Sequence, residues 1–130
     1  MLNLSETQKI KDTIDQRPSE VQEIINETPI GICVTDENGL YAFVNDSYIE
    51  IVGYSRAELI GNSFLMVVPT DHKTELTELH EQFIETQIEI FEEFKIIDKH
   101  KNLIKISVDA GFCDKINDAP HKITFIQKAD

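Results

Sequence analysis

The hydrophobic positions of the chain change period several times, and each change marks a new element. Residues 3–16 (NLSETQKIKDTIDQ) are polar apart from Leu4, Ile10 and Ile14, a spacing that suits a helix lying across something larger. Pro18 interrupts it, and Ser19 opens a second helical segment in which Val21, Ile24 and Ile25 share a face as far as Pro29. From Ile30 the period becomes two: Ile30, Ile32 and Val34 alternate with Gly31, Cys33 and Thr35 up to the turn Asp36-Glu37-Asn38-Gly39. Asn-Gly suits the positive φ angles of hairpin turns, so Leu40 to Val44 is expected to return antiparallel. Helical spacing resumes in two clipped helices. Asn45, Asp46 or Ser47 caps the first, which turns Tyr48, Ile51 and Val52 inward and stops at Gly53. Ser55 and Glu58 form a capping box for the second, which Gly61 closes.

An apolar run, Phe64 to Val68, then ends at Pro69, and Thr70 or Asp71 is placed to cap the longest central helix, to about Glu85. Leu76, Leu79, His80 and Phe83 follow i, i+3, i+4, i+7 along it, one inward face with a histidine in its middle. Three strand-like segments complete the chain, about Glu89 to Ile97, Leu103 to Cys113 and Lys122 to Lys128, and in the second Ile104, Ile106, Val108, Ala110 and Phe112 all point one way. This order predicts an α+β fold: a five-stranded antiparallel sheet with short helices and one longer helix on one face. It divides the sequence into an N-terminal helical arm, residues 1–28, and a domain over residues 29–130.

Composition narrows the function. With 130 residues and 41% hydrophobic content the sequence suits one domain with a single core. Acidic residues outnumber basic ones 24 to 12, for a formal charge of −12, and no basic run is present to neutralise phosphates, so neither nucleic acid nor an anionic membrane is an expected partner. Without an apolar stretch of bilayer-spanning or signal-peptide length, the expected location is cytoplasmic. Cys33 and Cys113 lack a CxxC pairing and read as buried thiols, not as a disulfide or zinc site. Ile10, Ile14, Arg17, Val21 and Ile24 keep a 4-3-4-3 spacing across Pro18, which leaves two readings of the arm: a coiled-coil seam of a homodimer, or a segment folded back on its own domain.

The motifs in this order resemble the PAS family of sensory domains. The likeness begins at "PIGICVTDENGLYAFVNDSYIEIVGYSRAELIGNSF" and runs to about Gln127. It rests on Asp36 and Gly39 of the hairpin, Phe-Val-Asn ending at Asn45, Gly-Tyr-Ser at Gly53 to Ser55, Glu-Leu-Ile-Gly at Glu58 to Gly61, and Pro69 with Asp71 before the long helix. Where the family often has Asp-Gly between the third and fourth strands, this chain reads "DKHKNL", with Asn102 expected to take the left-handed conformation. The resemblance implies a pocket walled by the clipped helices and the sheet, and a role in sensing or in dimerisation and signal relay.

The resemblance fixes no cofactor. In the flavin-adduct branch, the light-sensing LOV domains, a cysteine occupies the position that matches Asn62 in "GNSFL", so the photochemical thiol is missing. In the haem-binding branch the axial histidine matches Leu76, while His80 lies one turn later; its ordinary role is a core histidine bonded to a backbone carbonyl or water. For a small polar ligand, Phe43, Tyr48, Phe64, Leu79, Phe83, Phe94, Ile106 and Phe125 are expected to supply apolar walls, and Tyr48, His80 and Asn62 polar contacts. The same side chains would also fill an ordinary core. No nucleophile arrangement, P-loop or dinucleotide fingerprint appears, and no enzymatic activity is expected. Expected partners are a second copy of the chain and a histidine kinase or other signalling effector. The competing expectation is a ligand-free interaction module.

Overall fold

The period-two segments form five strands: β1 (Gly31–Asp36), β2 (Tyr41–Val44), β3 (Ile90–Ile97), β4 (Leu103–Cys113) and β5 (His121–Lys128). They belong to a computed structural model that describes residues 2–129. All pair antiparallel in one sheet of order β2-β1-β5-β4-β3, so the last strand of the chain is inserted at the centre and joins the N-terminal hairpin to the C-terminal one. The helices are α1 (Leu4–Gln16), α2 (Val21–Asn26), α3 (Asp46–Val52), α4 (Arg56–Leu59) and α5 (Lys73–Thr86), with 3₁₀ turns at Pro18–Glu20, Phe64–Val67, Thr70–His72 and Ile116–Asp118. The α+β architecture is the one that the sequence predicts.

Both faces of the sheet are covered, by different parts of the chain. On one face α3, α4 and the Phe64–Val67 turn bring Tyr48, Val52, Leu59 and Val67 against Cys33, Ile106, Val108 and Ile126. On the other face the arm folds back: Ile14, Val21 and Ile25 pack on Ile32, Val34, Ile123 and Phe125. Of the positions at coiled-coil spacing, Ile14 and Val21 are therefore buried against the chain's own sheet, Ile10 and Ile24 pack at its margin, and Arg17 is exposed at the break.

Polar groups fix the arm's register. Thr7 Oγ1 donates to Asp109 Oδ2 at 2.6 Å, and Lys11 Nζ reaches Asp109 Oδ1 at 3.3 Å and Glu89 Oε1 at 3.1 Å. The Lys11 stem crosses Gly111 so closely that a Cβ there would lie 2.5 Å from its Cδ. A second joint, Asn45, ties α3 to the arm and to the start of β1. Its Oδ1 accepts from Tyr48 N, capping α3, and from Ile32 N, while its Nδ2 donates to the carbonyls of Ile25 and Ile30.

Three local expectations are corrected. In the first hairpin only Gly39 takes positive φ, +79°, and Asn38 does not, because Asp36 Oδ1 accepts from both Asn38 N and Leu40 N and sets the turn. In the β3–β4 turn Lys101 is the left-handed residue, with φ of 70°. Asn102 is held instead by the Asp98 carboxylate through its backbone N–H and its amide. Finally, α5 begins at Lys73 behind the Thr70–His72 turn with no side-chain cap, so neither Thr70 nor Asp71 performs that role.

Candidate functional site

Between the sheet and the wall made by α3, the Phe64–Val68 segment and α5 lies a cavity of about 90 Å³. The strand register decides what faces it. Cross-strand partners share a face, and the pairs Cys33–Thr124, Thr35–Lys122 and Val108–Ile126 all turn toward the cavity. Tyr48, Phe64, Leu79, Phe94 and Ile106, each expected from the sequence as a pocket residue, also line it, together with Leu76, the position that matches the haem ligand.

The remaining expected site residues lie elsewhere. Phe43 and Phe125 alternate to the opposite face and pack under the arm. Phe83 is fully buried beside Phe112, at a ring separation of 6.3 Å, and does not border the cavity. Asn62 is exposed and donates to the Glu58 carbonyl at 2.8 Å, at the end of α4. His80 is buried, but its Nε2 meets the Glu37 carbonyl at 3.0 Å and its ring tilts on Phe64, outside the cavity lining. Burial and the nearby Lys122 ammonium push its pKa down, so it is neutral in the fold at neutral pH.

Sequence reasoning missed the polar side of this site. Thr35, Cys33, Thr124 and Lys122 all border the cavity. The signal was present in the "HKITFIQK" run, where Lys122, Thr124 and Ile126 share one face. Ile123 and Phe125 form the more apolar set, and that set turns to the arm. The thiol of Cys33 lies near Tyr48, Thr124 and Lys122, and burial pushes it up to about 11, so it stays protonated at neutral pH. The Tyr48 hydroxyl is satisfied by that of Tyr41 at 2.6 Å.

Three groups lack a partner among the described residues: the Thr35 hydroxyl and His80 Nδ1 have no hydrogen bond, and Lys122 has no ion pair. The Thr35 hydroxyl is buried and makes no hydrogen bond. Lys122 is 9% exposed, and no carboxylate lies within ion-pairing distance of it among the described residues. Its Nζ stands over the Phe64 ring, 4.5 Å from the centroid, and 5.9 Å from that of Phe83. Burial pulls its pKa down to about 8.

The cavity is well below the roughly 300 Å³ at which pockets for drug-sized ligands begin. A haem or flavin ring system would require the helical wall to move outward, whereas a few water molecules or a small organic ligand fit as it stands.

Comparison with the curated proteins found no match to the chain. Solved structures match well in fold. The PAS domain of an HTR-like protein from Haloarcula marismortui aligns with a TM-score of 0.72 at 13% identity, over 94% of this chain and 99% of that one. A PAS domain from Colwellia psychrerythraea aligns with a TM-score of 0.72 at 18% identity, over 91% and 98%. The LOV protein of Rhodobacter sphaeroides gives 0.75 at 8% identity, over 87% of this chain and 66% of that one. At such identities these likenesses speak for the fold alone. The sequence itself matches the family described as the PAS fold over residues 19–112, from the Pro18–Glu20 turn to the end of β4. With that match over most of its length, and with the sheet order and helical wall described above, the chain belongs to the PAS family of sensory domains.

Proposed function

We propose that this chain is a non-enzymatic sensory module that takes a small ligand into the cavity between its helices and sheet and reports occupancy through a partner surface. The observation that carries the reading is the cavity itself. Leu76, Leu79, Phe94 and Ile106 give it apolar walls, and polar groups converge on one side of it, the usual composition of a small-ligand site. A packed core of the same residues would leave neither the space nor the unpaired Thr35 hydroxyl. Output runs to a second copy of the chain or to an effector such as a histidine kinase, in cis or in trans. A PAS domain from a two-component sensor histidine kinase shares the fold, with a TM-score of 0.70 at 14% identity.

Native mass spectrometry of gently purified protein tests this reading, because it reports retained mass and subunit count together. Retained small-molecule mass that disappears in Leu79→Trp, a substitution that fills the cavity, supports the sensor. A clean apo mass, with no probe from a library of small acids, amides and alcohols raising the melting temperature, overturns it. That result would favour the second reading, a ligand-free interaction module. The exposed side chains of Ile88, just before β3, and of Phe91, on that edge strand, favour that alternative.

A further inference from the structure

Lys122 is a cation that the fold encloses without giving it an anion. Burying an ammonium is costly unless something neutralises it. The usual solutions are absent here. Among the described residues no carboxylate pairs with it, Cys33 is a thiol and not a thiolate at neutral pH, and the neighbouring imidazole of His80 is neutral. The Phe64 ring face offsets part of the cost through a cation–π contact. Beside Lys122, directly across the β1–β5 ladder, stands Thr35, whose hydroxyl is also unpartnered and 1% exposed. The unpartnered Thr35 hydroxyl and the Lys122 ammonium, which has no ion pair among the described residues, therefore stand on adjacent strands at one cavity, beside Cys33 and Thr124 and facing the apolar side chains of Leu79, Ile106 and Val108. An acceptor that is negative at one end and hydrocarbon at the other would complete every one of these groups.

We propose that the cavity is a site for a short-chain monocarboxylate, with the carboxylate between Lys122 and the Thr35 hydroxyl and the alkyl tail against Leu79, Ile106 and Val108. This rests on the small-ligand reading above and gives that ligand its chemical class. The space of about 90 Å³ equals that of about three liquid water molecules, which suits the smallest such acid, of about two carbons, with the longer ones testing how far the walls yield.

The test uses the full chain with sodium acetate, propionate and butyrate as probes. The controls are sodium chloride and sodium phosphate at equal ionic strength, and propionamide and butanol as neutral mimics. Binding is read by thermal shift and by amide NMR with assigned Thr35, Lys122 and Thr124 resonances. One of the carboxylates is expected to bind at least tenfold more tightly than its neutral mimic, and to move the Lys122 side-chain titration to higher pH on binding. Lys122→Met should lose at least tenfold in carboxylate affinity while keeping the weak affinity for butanol, and Thr35→Val should lose severalfold. Retained butanol binding shows that the Lys122 variant is folded around its cavity; Thr35→Val, which keeps the cation, supplies a second variant. If the neutral mimics bind as well as the acids, and Lys122→Met leaves all affinities unchanged, the cavity is a ligand site but the carboxylate assignment fails. If phosphate displaces propionate and binds more tightly, the assignment fails in favour of an inorganic anion. If no probe of either kind binds, the small-ligand reading falls with it.

Discussion

Lys122 and Cys33 set opposing pH dependences on the stability of the empty domain. The folded pKa of Lys122, about 8, lies below its ordinary 10.5, so between those values the unfolded chain holds more protons and stability rises with pH. Cys33 runs the other way: its folded pKa of about 11 exceeds the ordinary 9.0, and stability falls as pH climbs between them. The two cancel from about pH 9 to 10.5, and a net gain on the order of 1 kcal/mol is expected from pH 8 to 9. Above that, Tyr41 and Tyr48, whose hydroxyls burial holds well above their ordinary range, add to the loss. Chemical denaturation between pH 7.5 and 9.5 measures the rise, and Lys122→Met should abolish it. His80 works at the acid end. Its lowered pKa means that stability is lost as pH falls below about 6.5, and His80→Gln should flatten that limb. The histidine's bond to a backbone carbonyl is one of the two ordinary roles that the sequence suggested. The lysine was illegible, because a Lys in an alternating strand reads as a solvent-facing residue until its cross-strand neighbours are known.

Among the elements, the α3 cap and the arm latch are the joints where one side chain holds several segments. Asn45→Ala removes the cap and the bonds to Ile32 N and to the carbonyls of Ile25 and Ile30 at one stroke. It is expected to cost on the order of 3 kcal/mol in equilibrium unfolding, several times the effect of Asn62→Ala, whose amide bond is exposed. Asp109→Ala removes the acceptor for Thr7 and Lys11 and should raise amide exchange along α1 while leaving β1 and β5 protected. Gly111→Ala should act in the same direction by pushing the Lys11 stem aside. At this scale the sequence was most readable: element order, the capping box at Ser55 and the ends of β4 all follow from period and punctuation. What period could not decide was which face of β1, β2 and β5 met the cavity. When both faces of a sheet are covered, the apolar set of a strand marks burial without saying beneath what. That is why Phe43 and Phe125 were assigned to the pocket and Cys33, Thr35, Lys122 and Thr124 were not. Similarly, a capping residue is legible only when the helix starts beside it, and the 3₁₀ turn at Thr70–His72 displaces the start of α5.

For the molecule as a whole, the arm packs over one face of the sheet. Deleting residues 1–18 uncovers Ile123, Phe125 and the Cys113 region. A truncated chain should therefore be destabilised and bind a hydrophobic dye, and comparing its sedimentation with that of the intact chain tests whether the arm also joins two subunits. A dimeric intact chain that becomes monomeric on truncation would support the arm as a subunit contact; an unchanged subunit count would remove it from that role. The single strand β5 serves both sides, sending Lys122, Thr124 and Ile126 to the cavity and Ile123 and Phe125 to the arm. A wall shared in this way imposes thermodynamic reciprocity. Whatever factor an occupied cavity applies to the docking equilibrium of the arm, the docked arm must apply the same factor to ligand affinity. Affinities measured on the intact and truncated chains would therefore give the strength of the signal with no knowledge of the receiver, and equal affinities would mean that β5 is a rigid partition across which the two faces do not communicate.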